Sequence, residues 1–142
     1  MILLRDSKIK LQRSEDVAQV LQNLLKLEDT IEQEKEHYYV LHLDARHRLN
    51  LVEVVAIGTL TEARIHPRET FRRAVAEGSA TIIIAHNHPS GDTEPSTDDI
   101  LATRKLLEVG EIPGIPVLDH IVFTPTKFYS FTRIRGGELH HV

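Results

Sequence analysis

The 142-residue chain has no cysteine, no tryptophan and a single methionine. Without thiols it can form neither a disulfide nor a thiolate metal site, so any zinc must be held by nitrogen and oxygen. This usage fits a cytoplasmic protein. No apolar run approaches the ~20 residues that cross a bilayer, and Met1-Ile2-Leu3-Leu4 is too short for the core of a secretion signal. Internal repeats and low-complexity tracts are absent. Positive charge is not in excess either. The formal net charge of −4 argues against broad, sequence-independent binding to nucleic acid. Arg104-Lys105 and Arg133 with Arg135 are the nearest basic patches, and they read better as solvated faces. What is present is ordinary for a soluble globular protein, 41% apolar and 27% charged. The length suits one domain over residues 1–142, with a core from about 14 to 133, large enough to bury one hydrophobic centre.

The pattern along the chain is α/β. Ser14-Glu15-Asp16 opens a helix that carries Val17, Val20, Leu21, Leu24 and Leu25 on one face. Tyr38 to Leu43 and Asn50 to Ala56 read as an antiparallel strand pair turned at Asp44-Ala45-Arg46-His47, and Thr61 to Ile65 as a third strand. Pro67 starts a helix with Phe71, Ala74 and Val75 on its apolar side, before Gly78. The β-rich run from Thr81 to Ala85 follows, then a helix over Asp98 to Leu107 ended by Gly110. Strands at Ile115 to Phe123 and Lys127 to Phe131 close the chain. Helices on both sides of a mixed sheet are the natural packing. An exposed sheet edge, such as the last strand, offers a place for two copies to pair, although the oligomeric state is not legible.

Chemistry concentrates between residues 86 and 99. His86 and His88 lie two apart where the Thr81 strand ends, so their imidazoles share one face. Pro89, Gly91 and Pro95 force a loop, which delivers a serine and an aspartate at a helix start. Two histidines and a carboxylate match a catalytic zinc site with one position left for water. Each piece has a plainer reading. Ser96-Thr97-Asp98-Asp99 is also a capping box, and a lone His-x-His is often surface histidine. Taken together, the pieces favour a metal. Asp92, Glu94 and Asp98 remain open as a fourth ligand, which would make the site structural. Of the other histidines, His120 and His42 default to core positions, His120 with a possible hydrogen bond near the site. His66 belongs to a helix start, and His140-His141 to a tail.

Two families of zinc hydrolase are excluded by what is missing. Zinc deaminases need Pro-Cys-x-x-Cys and a His-x-Glu at a strand end, and thermolysin-like proteases need His-Glu-x-x-His; neither occurs. The spacing His86-x-His88, seven residues, Ser96, two residues, Asp99 instead resembles the signature of the JAMM (MPN+) metalloproteases. Pro67-Arg68-Glu69, the run from Ala85 to Asp92, Pro95-Ser96 and Leu118-Asp119-His120-Ile121 look like the bacterial RadC family, over about Ser14 to Phe131.

The resemblance implies an MPN/JAB-type sandwich, similar to the cytidine deaminase arrangement, with Zn²⁺ on His86, His88 and Asp99. It implies Glu36 as general base and Ser96 as hydrogen-bond donor to the oxyanion. Glu34 and Glu53 are competitors for the base. The function implied is hydrolysis of peptide or isopeptide bonds in a protein or peptide substrate that the motif does not name. Members of the family usually carry an N-terminal helix-hairpin-helix-like region, which is expected to be absent here. The alternative is a non-catalytic binding module of DNA-repair or DNA-processing complexes, with a structural or vestigial metal site. DNA association rests on the family name alone.

Overall fold

A computed structural model describes residues 2–3, 7–58 and 65–132. The elements run β1 (Ile2–Leu3), α1 (Ser14–Lys26), α2 (Thr30–Gln33), β2 (His37–Leu43), β3 (Leu49–Ile57), α3 (Pro67–Glu77), β4 (Thr81–Asn87), α4 (Thr97–Glu111), β5 (Val117–Phe123) and β6 (Phe128–Ser130). The six strands form one mixed sheet in the order β1-β3-β2-β4-β5-β6. β4 and β5 are parallel and every other pair is antiparallel. Parallel neighbours need a crossover, and α4 supplies it.

Period-2 alternation divides the core into two layers. Tyr39, Leu41 and Leu43 of β2, with Ile83 and Ala85 of β4, pack under Val17, Leu21 and Leu25 of α1. Tyr38, Val40, Ile82 and Ile84 face the other way, onto Phe71 and Ala74 of α3 and Ala102 and Leu106 of α4. Helices therefore cover both faces, as expected from the pattern. The β2–β3 pair was also expected; β2 starts one residue earlier, at His37, and ends at Leu43 as expected, while β3 is one residue longer at each end. β6 lies at an edge of the sheet that the described residues form. Among the described residues no helix is long and apolar enough to cross a membrane.

Some expectations need correction. Gly110 does not stop α4, which continues through it to Glu111. Its glycine serves a close approach instead: a Cβ there would lie 2.7 Å from the carbonyl oxygen of Ile115. The reversal is made by Gly114 at φ +71°, and the next strand begins at Val117 rather than Ile115. Val75, placed on the apolar side of α3, is exposed, while Thr70 is buried and bonds the Tyr38 hydroxyl at 2.8 Å. The sequence pattern does not mark the short elements β1 and α2. α2 buries none of its residues, so it leaves no apolar period to read. Residues 61–64 of the expected third strand, Arg133 with Arg135, and His140-His141 lie outside the described residues.

Candidate metal centre

β4 and α4 build the site together. His86 lies at the end of β4 and faces the α4 side, in phase with Ile82 and Ile84, and His88 follows two residues on. Asp99 is the third residue of α4, where its carboxylate benefits from the positive end of the helix dipole. Among the described residues these three are the set that could hold a metal ion, and their ligand atoms lie within 4.8 Å of one another. His86 Nε2 stands 3.0 Å from His88 Nε2 and 3.2 Å from Asp99 Oδ1, and His88 Nε2 stands 3.5 Å from Asp99 Oδ2. Ligands at zinc bond lengths around a tetrahedral ion sit about 3.3–3.6 Å apart, so the triangle has nearly the right size before any ion is placed in it.

Protonation supports the fit. His88 Nδ1 lies 2.8 Å from the Asp92 carbonyl, which can only accept, so Nδ1 carries the proton. A neutral His88 then turns a bare Nε2 toward His86 Nε2 and Asp99. Acceptors facing one another require a cation, either a proton or a metal. Without a metal, the hydrogen bond that protonated His88 donates to Asp99 is the main cause that raises the His88 pKa above its ordinary value, with a smaller push from the charge of Glu36. Burial works to raise the Asp99 pKa, but hydrogen bonds from His86 and His88 outweigh it and hold the carboxyl well below the usual range.

Ser96 caps α4 and borders the centre. Its Oγ accepts from Asp99 N–H at 3.1 Å while its own N–H donates to Asp99 Oδ2 at 2.8 Å, the expected capping box. Because Oγ accepts there, the hydroxyl proton is still available to a ligand. Asp92, Glu94 and Asp98, the open candidates for a fourth ligand, lie outside the convergent set.

Glu36 precedes β2. Carrying the β2–β4 register two residues past Tyr38 and His86 sets Glu36 opposite His88. Glu36 is half-buried, and both line a cavity of about 550 Å³ that Glu34 also borders. Glu53, the other competitor, is engaged elsewhere: it bonds His42 Nε2 at 3.1 Å, and His42 Nδ1 meets Ser79 Oγ at 3.1 Å. His66 caps α3, as its place before Pro67 implied.

Asn87 and Thr103 support the site without a role expected of them, and His120 makes the hydrogen bond near the site that its position allowed. Asn87, between the two histidines, accepts from His37 N–H at 2.6 Å and donates to the Lys35 carbonyl at 2.9 Å, gripping the chain on both sides of Glu36. His120 Nε2 meets His86 Nδ1 at 2.9 Å, and Thr103 bonds His120 Nδ1. Burial is the main cause that pushes the His120 pKa well below its ordinary value. A local signal existed only for Thr103, one helical turn after Asp99.

The sequence model of the RadC-like JAB domain matches residues 11–137. A UPF0758 protein of Desulforudis audaxviator is 47% identical over 97 residues, which cover 68% of this chain and 42% of the relative. One of Methanosarcina mazei is 46% identical over 99 residues, 70% of this chain and 43% of the relative. One of Chlorobium phaeovibrioides is 40% identical over 127 residues, 89% of this chain and 55% of the relative. The chain thus spans about half the length of the curated relatives it matches.

Proposed function

The chain belongs to the RadC-like JAB domain family, and on that premise we propose that it is a zinc-dependent hydrolase of peptide or isopeptide bonds. The observation that carries the reading is the triangle of His86 Nε2, His88 Nε2 and an Asp99 carboxylate oxygen, at zinc-like spacing, with the His88 proton held on the far nitrogen. A zinc ion would be held there by His86, His88 and Asp99, and it would supply Lewis acidity that brings the pKa of water toward about 7.

The chain's own residues do the rest. Glu36, in the cavity with His88, takes the proton of the attacking water and returns it to the leaving nitrogen. Ser96 Oγ–H donates to the carbonyl oxygen as negative charge builds there; loss of such a donor typically slows turnover roughly 10²–10³-fold. Asn87 keeps Glu36 in register with His88 by holding the backbone at residues 35 and 37. The substrate is a protein or peptide whose amide enters the cavity beside His88.

The test begins with elemental analysis. Purified protein should carry about one zinc per chain and His88→Ala little. Glu36→Ala should keep the zinc and lose hydrolysis of a peptide and isopeptide library. Loss of zinc from Glu36→Ala would make Glu36 a ligand. No zinc in the parent, even when supplied, sinks the enzyme reading, and salt-sensitive DNA binding in its place would favour the binding module.

A further inference from the structure

His120 is fully buried and stacks on Phe131 with ring centroids 4.7 Å apart, which defines the plane of its ring. Among the described residues its two nitrogens have one partner each, Thr103 Oγ1 at Nδ1 and His86 Nδ1 at Nε2. The direction of every proton in this run can be worked out from one end. Thr103 Oγ1 lies 2.6 Å from the Asp99 carbonyl oxygen, which can only accept, so the single hydroxyl proton goes there. Thr103 Oγ1 must then accept from His120 Nδ1–H. A neutral His120 with its proton on Nδ1 has a bare Nε2, which accepts from His86 Nδ1–H at 2.9 Å. In the neutral ring His86 Nε2 is thereby left without a proton, aimed at His88 and Asp99 as a ligand atom; only a doubly protonated His86 could donate to Asp99 from there.

We propose that Thr103 and His120 are positioning residues that select the ligating tautomer of His86, an inference that rests on the metal-centre reading above. The run begins at the backbone carbonyl of one ligand, Asp99, and ends on the side chain of another, His86, so the seat of α4 and the tautomer of His86 are tied together. Hydrogen bonds aligned in one direction polarise one another and add electron density at His86 Nε2. The usual orienting partner of a metal-bound histidine is a carboxylate or a carbonyl. A neutral imidazole orients the ring while adding less electron density than a carboxylate partner would, so an ion held by His86, His88 and the single carboxylate Asp99 would keep more of its Lewis acidity than with a carboxylate in that place.

The experiment is nitrogen NMR on ¹⁵N-histidine-labelled protein at pH 8, without and with zinc, together with zinc affinity by chelator competition. A proton on His86 Nδ1 and a bare His120 Nε2 are expected in both states; a bare His86 Nδ1 or a protonated His120 Nε2 overturns the proposal. Thr103→Val keeps the side-chain shape, removes the acceptor for His120 Nδ1–H, and is expected to weaken zinc binding roughly 10–100-fold. Unchanged affinity in a folded Thr103→Val protein also overturns it. If that variant fails to fold, the nitrogen assignments of the parent decide alone. If the parent binds no zinc, the metal reading fails, while the same assignments still decide whether His120 orients His86.

Discussion

Asn87→Ala separates the support of Glu36 from the support of the metal ligands. The parent side chain is buried and makes two hydrogen bonds, to His37 N–H at 2.6 Å and to the Lys35 carbonyl at 2.9 Å. The two losses are unequal. His37 is buried, and its N–H is orphaned, at a cost of about 1–3 kcal/mol. The Lys35 carbonyl keeps the His37 Nδ1 partner at 2.8 Å, so only the net value of one bond is lost there, about 0.5–1.5 kcal/mol. The sum is a destabilisation of about 1.5–4.5 kcal/mol, which lowers the melting temperature by roughly 5–18 °C. Denaturant titration gives the free energy directly. Zinc stoichiometry should survive, because His86 is held by the β4–β5 pairing and His88 N–H by the Phe123 carbonyl at 2.9 Å. Turnover should fall, because the chain on either side of Glu36 is released. A stability change under about 0.5 kcal/mol, or loss of zinc with stability intact, refutes this account.

Gly110→Ala should destabilise although alanine is the better helix former by about 1 kcal/mol. The new Cβ meets the Ile115 carbonyl at 2.7 Å and Phe71 Cζ at 3.3 Å, and overpacking against backbone costs about 1–3 kcal/mol, to be read by thermal melting. Asp119 is fully buried, and burial is the main cause that raises its pKa above 3.8 despite hydrogen bonds from Ser130 and from Thr132 N–H. The folded state therefore holds this proton more tightly than the unfolded chain. Ionised Asp119 costs stability at neutral pH, and that cost is relieved as pH falls from the raised value toward 3.8. Asp119→Asn should be at least as stable as the parent at pH 7, with an advantage that shrinks on acidification; a loss above about 1 kcal/mol at pH 7 would contradict it. Zinc at a hundredfold excess over its dissociation constant should stabilise the parent by about 2.7 kcal/mol and leave Asp99→Asn much less affected, as melting with and without zinc would show.

Much of the centre could be read from local spacing. A period of two puts His86 and His88 on one face of a strand, and a loop followed by a capping box presents Asp99 in a first helical turn. Both rules act within a few residues. The alternation in β2 and β4 and the stripe on α1 are also short-range, so the two-sided sheet was legible. Tertiary structure decided what depends on distant parts of the chain. The resemblance points to Glu36, with Glu34 and Glu53 as competitors; the β2–β4 register, carried two residues on, sets Glu36 across from His88, and Glu53 bonds His42. Gly110 looked like a helix stop because its close approach to Ile115 exists only once β5 is docked. The pairing of His120 with His86, and the grip of Asn87 on the chain around Glu36, join segments tens of residues apart. No periodicity within one segment encodes such contacts, since they arise only when the sheet brings the strands together.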